Sequence, residues 1–209
     1  MFYLVYSSNM TSQDMDERSR RIVLTAIQLA EEGGFEAVRL RDVAAHAEVA
    51  LGTVYKRFRS KEEMLLAAME LMVGQLERSV KKDPPLGTTP LERVNGLFAV
   101  LTDHMMQRPH LTRAVLRATT SGDASVRDKV LRFHSRMVEL VAGSLRGAEN
   151  EKAFFNPSQL RDLSNLLQQV WFAALVGWMG GLHDVQEVLR QVRWAALWML
   201  RGLEDRGVV

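Results

Sequence analysis

Apolar residues recur every three or four positions along almost the whole chain. Near the N-terminus, Ile22, Ala26, Leu29 and Ala30 follow one another at intervals of four, three and one, which places them on one face of an α-helix. No segment sustains the strict alternation of apolar and polar residues that marks a half-buried β-strand. The pattern therefore predicts an all-α fold of about nine helices.

Residues with known preferences for helix ends divide this pattern into segments. Gly33-Gly34 is expected to end the first helix, because glycine tolerates the left-handed conformation common at helix C-termini. Ser60 and Glu63 have the spacing of a capping box, in which each side chain bonds the other residue's backbone N–H. Pro90 and Pro157 suit the first position of a helix, where the missing N–H costs nothing. The first five predicted helices cover residues 16–32, 40–47, 50–58, 61–80 and 90–107. The sixth begins at 109 and ends at a turn formed by residues 121–124, and the seventh runs from that turn to 145. The eighth begins at 157 and ends at the glycines 180–181, and the ninth covers 184–204.

Composition favours a globular protein of the cytoplasm. The chain is 47% hydrophobic and 25% charged, which is ordinary for a folded domain, and the absence of cysteine excludes disulfides and thiolate metal sites. The longest apolar run, residues 170–181, is too short to span a bilayer and is expected to form a buried helix. The apolar opening MFYLVYSSNM lacks the basic region of a signal peptide, and residues 1–14 are expected to form a disordered arm.

The net charge of the chain says little about function, but the positions of its charged residues do. The net charge is +2, and residues 1–60 contain eight Lys or Arg and eight Asp or Glu. Within that neutral half, residues 51–61 carry Lys56, Arg57, Arg59 and Lys61 with no acid among them. Such a run is often a solvated helix face, so its neighbours decide its meaning.

The neighbours of this run have the features of a helix-turn-helix. Two short predicted helices are separated by a tight turn and preceded by a third helix, the arrangement in which the second helix of the pair enters the major groove of DNA. On that second helix Val54 and Phe58 are four residues apart and would face the protein core. Four residues remain on the outer face to approach or bond DNA: Gly52, Thr53, Tyr55 and Lys56.

The stretch RDVAAHAEVALGTVYKRFRSKEEML, residues 41–65, resembles the DNA-binding signature of TetR-family transcriptional regulators. The matching positions are Ala47 and Val49, the Gly-Thr-Val-Tyr of residues 52–55, Phe58, and the Ser-Lys-Glu of residues 60–62. Three positions depart from the family pattern, since Arg39, Glu48 and Ala50 stand where Ser or Thr, Gly, and Ser are common. The resemblance covers the first four helices directly, and the number and lengths of the later helices agree with it.

The resemblance implies a DNA contact for eight residues. These are Thr53, Tyr55 and Lys61 on phosphates, Leu51, Gly52 and Lys56 nearest the bases, and Arg41 and Arg57 on the DNA backbone. Leu51 would contact a thymine methyl group rather than donate a hydrogen bond. At Lys61 the side chain and the helix N-terminus could hold one phosphate together.

The rest of the chain lacks the motifs of an enzyme. None of the five histidines has a second histidine four residues on, and the phosphate-binding loop and the Gly-x-Ser-x-Gly elbow are both missing from the sequence. We therefore expect neither catalysis, nor a metal, nor a cofactor.

The last two predicted helices are apolar on several faces, more than one subunit can cover. In the TetR family this position forms a dimeric four-helix bundle, which would present two recognition helices to a palindrome. The residues expected at this interface are Phe172, Leu175, Trp178, Met179, Leu189, Trp194, Leu197 and Trp198.

Between the two ends lies a set of methionines and aromatics that suits a large, irregular apolar ligand. A plain helix-bundle core would have much the same composition, so this alternative stays open. The candidate effector-pocket residues are Phe98, Leu101, His104, Met105, Leu116, Arg117, Thr119, Phe133, Met137 and Trp171.

Residues 106–125 and 170–178 are also similar to the actinobacterial repressors of cholesterol catabolism, a subgroup whose relatives sense sterol-derived or acyl CoA thioesters. The expected organisation is an arm at 1–14, a DNA-binding domain at 15–64 and an effector-binding and dimerisation domain at 65–209. The resulting hypothesis is a homodimeric repressor that binds a palindromic operator and is released by a hydrophobic effector. The alternatives are an activator, a regulator controlled by a protein partner, and a helical lipid- or acyl-binding module.

Overall fold

The computed structural model describes residues 15–147 and 155–204, and within these ranges the chain forms nine α-helices and one turn of 3-10 helix. The predicted arm at 1–14 and most of the predicted polar loop before Pro157 lie outside the described residues. The helices are α1 Glu17–Ala37, α2 Leu40–His46, α3 Leu51–Arg57, α4 Lys61–Lys82, α5 Pro90–Met106, α6 Pro109–Thr119, α7 Arg127–Arg146, α8 Pro157–Met179 and α9 Val185–Glu204, with the 3-10 turn at Ala124–Val126.

Helices α1 to α3 form a small N-terminal bundle. Their buried residues include Ile22 and Ala26 of α1, Val43 of α2 and Val54 of α3, all completely inaccessible to solvent, as the helical periodicity predicted. Phe58 ends α3 and is buried in the same core. The DNA-binding signature is thus held on a packed three-helix unit.

The first helix extends beyond its predicted end. Gly33 and Gly34 leave the helical conformation, with Gly34 at φ 68°, but the chain turns back into helix and continues to Ala37. The glycines therefore produce a kink rather than a stop. The continuation carries Phe35 and Glu36 onto the surface between α4 and α6, where both make contacts described below.

Helix α4 begins as predicted but with a different capping pattern. The Ser60 hydroxyl accepts a hydrogen bond from the Glu63 N–H at 3.2 Å. The Glu63 carboxylate, however, accepts from the N–H of Arg59 at 2.8 Å and not from that of Ser60. The reciprocal half of the predicted capping box is therefore wrong, because the carboxylate reaches one residue further back.

The C-terminal helices form a larger bundle around α8. Helix α8 packs against α7 and α9, α5 packs against α7 and α9, and α6 lies between α1 and α4. The buried Arg93 of α5 donates to the carbonyl oxygens of Ser144 and Leu145 at 3.0 and 3.2 Å, which satisfies the C-terminus of α7.

Among the described helices, none combines the length and the apolar character needed to cross a membrane. The predicted boundary after residue 64 falls inside α4, which runs unbroken from Lys61 to Lys82. One continuous helix therefore belongs to both the N-terminal and the C-terminal bundle.

Candidate DNA-binding surface and effector cavity

The turn between α2 and α3 is closed by backbone bonds that require a left-handed residue. The Val49 N–H donates to the Ala44 carbonyl at 3.0 Å, and the Glu48 N–H donates to the Ala45 carbonyl at 3.3 Å, the pair of bonds that defines a Schellman motif. Glu48 has φ 52° and is the only non-glycine residue with positive φ in the described part of the chain. The departure from the family's glycine therefore places a side chain at a position where glycine is favoured.

Neither short helix has a side-chain N-cap. Arg39 before α2 and Ala50 before α3 make no capping bond through their side chains. These two departures from the family pattern therefore leave both helices without a capping hydroxyl. Helix α3 begins with the bond from the Thr53 N–H to the Ala50 carbonyl at 2.8 Å.

The outer face of α3 is open to solvent. Gly52, Tyr55 and Lys56 are exposed, and Tyr55 keeps 57% of its surface accessible. A methyl group added at Gly52 would meet no protein atom within 4 Å, so packing does not require glycine there. Arg41 of α2 is exposed as well, which leaves these four predicted DNA-binding residues free for an external partner.

The other four predicted DNA-binding residues are half-buried: Leu51, Thr53, Arg57 and Lys61. Leu51 packs against the core with part of its surface, which limits its reach toward a base. Two exposed cations, Arg39 and Arg59, flank the helix pair and were not predicted to bind DNA. Only their charge and exposure could have suggested them, because neither belongs to the family motif.

Arg57 is tied to the start of α1. Its guanidinium forms an ion pair with Asp16 and donates to the Ser19 hydroxyl at 2.7 Å. Asp16 also caps α1 by accepting from the Ser19 N–H at 3.0 Å. That backbone bond and the Arg57 guanidinium lower the pKa of Asp16. Arg57 therefore fixes the orientation of α3 against α1 in the absence of DNA.

Lys61 belongs to a cluster that we call the Phe35 clamp, made of Phe35, Glu36, Lys61 and Arg117. The Lys61 ammonium lies 3.1 Å from a Glu36 carboxylate oxygen and 3.9 Å from the centre of the Phe35 ring. Arg117 of α6 lies 2.9 Å from the other Glu36 oxygen and 4.2 Å from the same ring centre. The two cations lower the pKa of Glu36, with Lys61 contributing most. The clamp joins a predicted phosphate ligand to a helix of the C-terminal bundle.

Arg117 therefore does not line the predicted effector pocket. Its guanidinium points to α1 and is occupied by Glu36 and Phe35. The sequence prediction placed it in the pocket because it lies next to Leu116, which does face the interior. Adjacent residues on a helix point about 100° apart, and here the Arg117 side chain is directed toward α1 instead of the cavity.

A cavity of about 40 Å³ lies between α4, α5, α6, α7 and α8. Seven predicted pocket residues line it: His104, Met105, Leu116, Thr119, Phe133, Met137 and Trp171. Phe98 and Leu101 do not. Phe98 lies behind the Trp171 ring at a centroid distance of 5.7 Å, and Leu101 is buried in the core.

One wall of this cavity comes from α4 and was missing from the predicted pocket. It consists of Met69, Met72, Val73 and Leu76. These residues form an apolar stripe on α4, and the spacing of such a stripe gives no sign that it faces a void rather than a filled core. Thr112, Val115 and Phe172 complete the lining.

The polar groups of the cavity are few. The Thr112 hydroxyl donates to the Met105 carbonyl at 2.6 Å, and the Thr119 hydroxyl donates to the Leu116 carbonyl at 2.7 Å. His104 is half-buried, and burial is the main cause that lowers its pKa, followed by the nearby charge of Arg108. Trp171 donates from its indole N–H to the Thr102 hydroxyl at 3.0 Å, away from any charged group.

A second, more open cleft of about 300 Å³ lies between α7 and the start of α8. Its lining consists of Val138, Glu139, Ala142, Arg146, Phe155, Pro157, Leu160 and Arg161. None of these residues belongs to α4 or α6, so the cleft has no direct link to the N-terminal bundle.

The predicted dimer surface divides into buried and exposed residues. Leu175 is completely buried and Trp178 is 7% exposed, with the Arg113 guanidinium 4.3 Å from its ring centre, so neither is available to a second subunit. Phe172 is half-buried against Phe133 and His134. The face of α8 that carries these three residues packs inside the subunit, and the dimer interface itself stays a prediction.

Helix α9 keeps two large aromatics in solvent. Trp194 and Trp198 are 47% and 61% exposed, and their rings stack with centroids 6.1 Å apart and planes 17° apart. Leu197, Leu189 and Met179 are half-buried. Leu166 of α8, which is also exposed, was not predicted at the interface. Exposed aromatics of this size on a single subunit mark an interaction surface.

Two family models match the chain. The model described as "Bacterial regulatory proteins, tetR family" matches residues 22–68, and the model described as "Tetracyclin repressor-like, C-terminal domain" matches residues 87–199. The first match covers most of α1, all of α2 and α3 and the beginning of α4, and the second covers most of the C-terminal bundle.

Curated relatives match over most of their length. The HTH-type transcriptional repressor KstR of Rhodococcus jostii is 34% identical over 184 residues, which cover 88% of this chain and 83% of the relative. The KstR of Mycobacterium tuberculosis is 28% identical over 198 residues, covering 95% of this chain and 87% of the relative.

Solved structures share the fold. A TetR transcriptional regulator from Rhodococcus sp. RHA1 superposes with a TM-score of 0.72 at 24% identity, covering 88% of this chain and 94% of that one. FadR of Thermus thermophilus, a TetR-family transcriptional repressor solved in complex with lauroyl-CoA, has a TM-score of 0.64 at 19% identity and covers 86% and 93%.

Proposed function

The chain belongs to the TetR family of bacterial regulatory proteins and is a transcriptional repressor of that type, and from this premise we propose that it binds a palindromic operator as a homodimer and is released by an apolar effector. Its relatives are repressors and not enzymes. Because its proposed target is genomic DNA, we propose that the protein acts in the cytoplasm.

The exposed face of α3 is the proposed reading surface. Gly52 lets the helix backbone approach the groove, and Lys56 can donate to base edges. Tyr55 and Arg41 are placed for phosphates, which set the register but carry little sequence information. Lys61 reaches a phosphate by exchanging its Glu36 partner for one.

The proposed effector is a sterol-derived or acyl CoA thioester whose apolar part enters the cavity. Support comes from the likeness to the KstR repressors and from FadR structures of Thermus thermophilus and Bacillus subtilis solved with lauroyl-CoA and stearoyl-CoA. At about 40 Å³ the cavity is too small for either group, so the effector has to separate its walls. Met69, Met72, Met105 and Met137 form much of those walls, and methionine adapts its shape readily.

The observation that carries the proposed response is that α4 and α6 each serve both sites. Helix α4 begins at Lys61 on the DNA side and lines the cavity with Met69, Met72 and Leu76. Helix α6 lines the cavity with Leu116 and holds the Phe35 clamp with Arg117. Separating the cavity walls therefore moves the clamp and the first turn of α4. A coupling of about 1–3 kcal/mol between effector and DNA is typical of such systems.

The exposed faces of α8 and α9 are the proposed dimer surface. The stacked pair of Trp194 and Trp198 would lie near its centre, with Leu166 from α8 beside it. A two-fold axis there would hold two α3 helices roughly 34–36 Å apart, which matches successive major grooves on one face of DNA.

The test is fluorescence anisotropy with labelled DNA from the region upstream of the chain's own gene. We expect sequence-specific binding at physiological salt and release by lauroyl-CoA or by a steroid CoA thioester. Lys56→Ala should change base preference, whereas Tyr55→Ala should weaken all sequences alike and flatten the salt dependence.

The other outcomes separate the alternatives. Specific binding that neither thioester releases would favour a regulator controlled by a protein partner. Absence of any sequence preference would contradict the operator proposal and favour a helical acyl-binding module. If Lys56→Ala keeps the original base preference, another residue of α3 reads the sequence.

A further inference from the structure

The chemistry of the cavity restricts what can bind in it. Eleven of its fourteen lining residues are apolar, and the three others are His104, Thr112 and Thr119. A ligand group that needs hydrogen bonds or charge compensation must obtain them from these three side chains, from backbone groups, or from ions at the rim.

The two threonines have already used their hydroxyl hydrogens. Thr112 donates to the carbonyl of Met105 and Thr119 to that of Leu116, at 2.6 and 2.7 Å. Each hydroxyl can still accept a bond, but it could donate to a ligand only by giving up its present bond. Neither threonine is therefore a ready donor to a ligand.

His104 is different because its imidazole makes no hydrogen bond with any residue in the described part of the chain. It lies on the cavity wall beside Met105, half-buried. Desolvation lowers its pKa, the Arg108 charge lowers it further, and Asp103 opposes them. The neutral ring offers one N–H donor and one nitrogen acceptor, so it can bond a hydroxyl or a carbonyl oxygen equally well.

Five cations on or next to α6 and α7, two of the helices that line the cavity, are already paired with carboxylates. The pairs are Arg108 with Glu31 at 3.2 Å, Arg117 with Glu36 at 2.9 Å, Lys129 with Glu63 at 3.3 Å, Arg132 with Glu70 at 3.2 Å, and Arg136 with Glu77. A ligand carboxylate would have to displace one of these acids or remain uncompensated in an apolar cavity, which is strongly unfavourable.

We infer that the cavity takes an uncharged apolar group bearing a single oxygen function, a hydroxyl or a ketone, ester or thioester carbonyl, and that His104 determines this specificity by bonding that oxygen. The inference rests on the proposed function, because it names the chemistry of the same effector. It assigns to His104 a contact with the ligand that the threonines of the same wall do not make.

The experiment compares probes that share one twelve-carbon chain and differ at the end. 1-Dodecanol and methyl dodecanoate carry a neutral oxygen, dodecanoate carries a charge, and 1-chlorododecane carries neither a charge nor a strong hydrogen-bonding group. Dissociation constants are measured by titration calorimetry with the full chain at pH 8 and no DNA. We expect the alcohol and the ester to bind about tenfold or more tightly than dodecanoate, because burying an uncompensated carboxylate in an apolar cavity costs at least that factor.

Two variants separate recognition from structure. In His104→Leu the preference for 1-dodecanol over 1-chlorododecane should fall about tenfold, toward equal binding. A residue with a purely structural role would weaken both probes alike and leave their ratio intact. In His104→Gln, which keeps a donor and an acceptor, most of the preference should remain.

Three results would overturn the inference: dodecanoate binding as tightly as the alcohol, an unchanged probe ratio in His104→Leu, or no binding of any of the four probes. Operator binding is assayed separately without ligand. A protein that does not bind the operator would contradict the proposed function, but it would not change the order in which the four probes bind. The two failures are therefore distinguishable.

Discussion

At the scale of single residues, several positions around the turn between α2 and α3 lower the stability of this unit. Glu48 occupies a left-handed position suited to glycine, while Arg39 and Ala50 leave the two short helices without side-chain caps. Gly52 adds a further cost, since glycine inside a helix is less stable than alanine by about 0.5–1 kcal/mol. Nothing in the packing explains Gly52, because the space around it is open. Close approach of DNA, as in the proposed function, would explain it.

This assignment of Gly52 leads to a prediction in which stability and DNA binding change in opposite directions. Gly52→Ala should raise the free energy of unfolding by about 0.5–1 kcal/mol, measured by urea denaturation. The same substitution should weaken operator binding several-fold, because the added methyl group lies between the helix and the groove.

Gly143 provides the matched control. It lies inside α7, is exposed, and also has open space where a methyl group would be added. Gly143→Ala should give a similar gain in stability with unchanged operator affinity. Equal operator affinity for Gly52→Ala and the native chain would remove the case for close approach at that position.

At the scale of helices, the kink at Gly33-Gly34 has the largest effect on the site. It carries Phe35 and Glu36 to a point where α4 and α6 both reach them through Lys61 and Arg117. Glu36 is shared by two cations, and one of these is the proposed phosphate ligand. DNA and α6 therefore influence the same carboxylate from opposite sides.

Removing the charge of Glu36 should favour the DNA-bound state. In Glu36→Gln, Lys61 no longer exchanges a carboxylate for a phosphate, and operator affinity should rise about two- to fivefold, the range expected for an exposed ion pair. Anisotropy titrations at several salt concentrations measure this change.

The comparison with Glu31→Gln controls for the loss of one negative charge, since Glu31 pairs with Arg108 instead of Lys61. In a Lys61→Met background the gain from Glu36→Gln should disappear. A gain of the same size in that background would show that the effect does not pass through Lys61.

Helix ends were largely predictable because their signals are local. Ser60, Thr89 and Asn156 each accept a bond from a backbone N–H in the first turn of the helix that follows, and the prolines at 90, 109 and 157 begin helices as expected. The end of α1 was predicted wrongly because the two glycines allow a break without requiring the chain to leave the helix afterwards.

It was harder to predict from the sequence which side chains point into the core and which point to the surface. Helix α8 is apolar on several sides, so periodicity alone could not assign Trp178 to the subunit core and Leu166 to the surface. Arg117 was misplaced because its partners, Phe35 and Glu36, are some eighty residues away in the chain and meet it only through the packing of α1 on α6. Such pairings depend on tertiary contacts that a local pattern does not contain.

At the scale of the whole molecule, a single subunit leaves two stacked tryptophans in water on α9. Their burial against a second copy would create the four-helix contact that the family resemblance predicts. Large aromatics near the centre of an interface contribute much of its binding energy. The proposed dimer therefore depends on this pair more than on the predicted residues that turned out to be buried.

Trp198→Glu should convert the dimer to a monomer at micromolar concentration, because it places a charge at the centre of an apolar contact. Sedimentation velocity measures the change. Operator affinity should fall at least about tenfold, since the two half-sites are then no longer held by one particle.

Leu131→Glu is the control, since Leu131 is an equally exposed apolar residue, at 58%, but belongs to α7 and not to the two helices of the proposed dimer surface. It should leave both the sedimentation coefficient and the operator affinity unchanged. A Trp198→Glu protein that still sediments as a dimer would place the interface elsewhere.

The small volume of the cavity also has a consequence for the rate at which the proposed effector binds. A space of about 40 Å³ admits no sterol or acyl chain, so entry has to wait until thermal fluctuation parts α4 from α6. The rate of effector association should therefore level off at high effector concentration, at the rate constant of opening, and apparent affinity is reduced by the small fraction of open molecules. Repression would persist through brief pulses of effector and end only when the effector remains in the cell longer than the waiting time for opening.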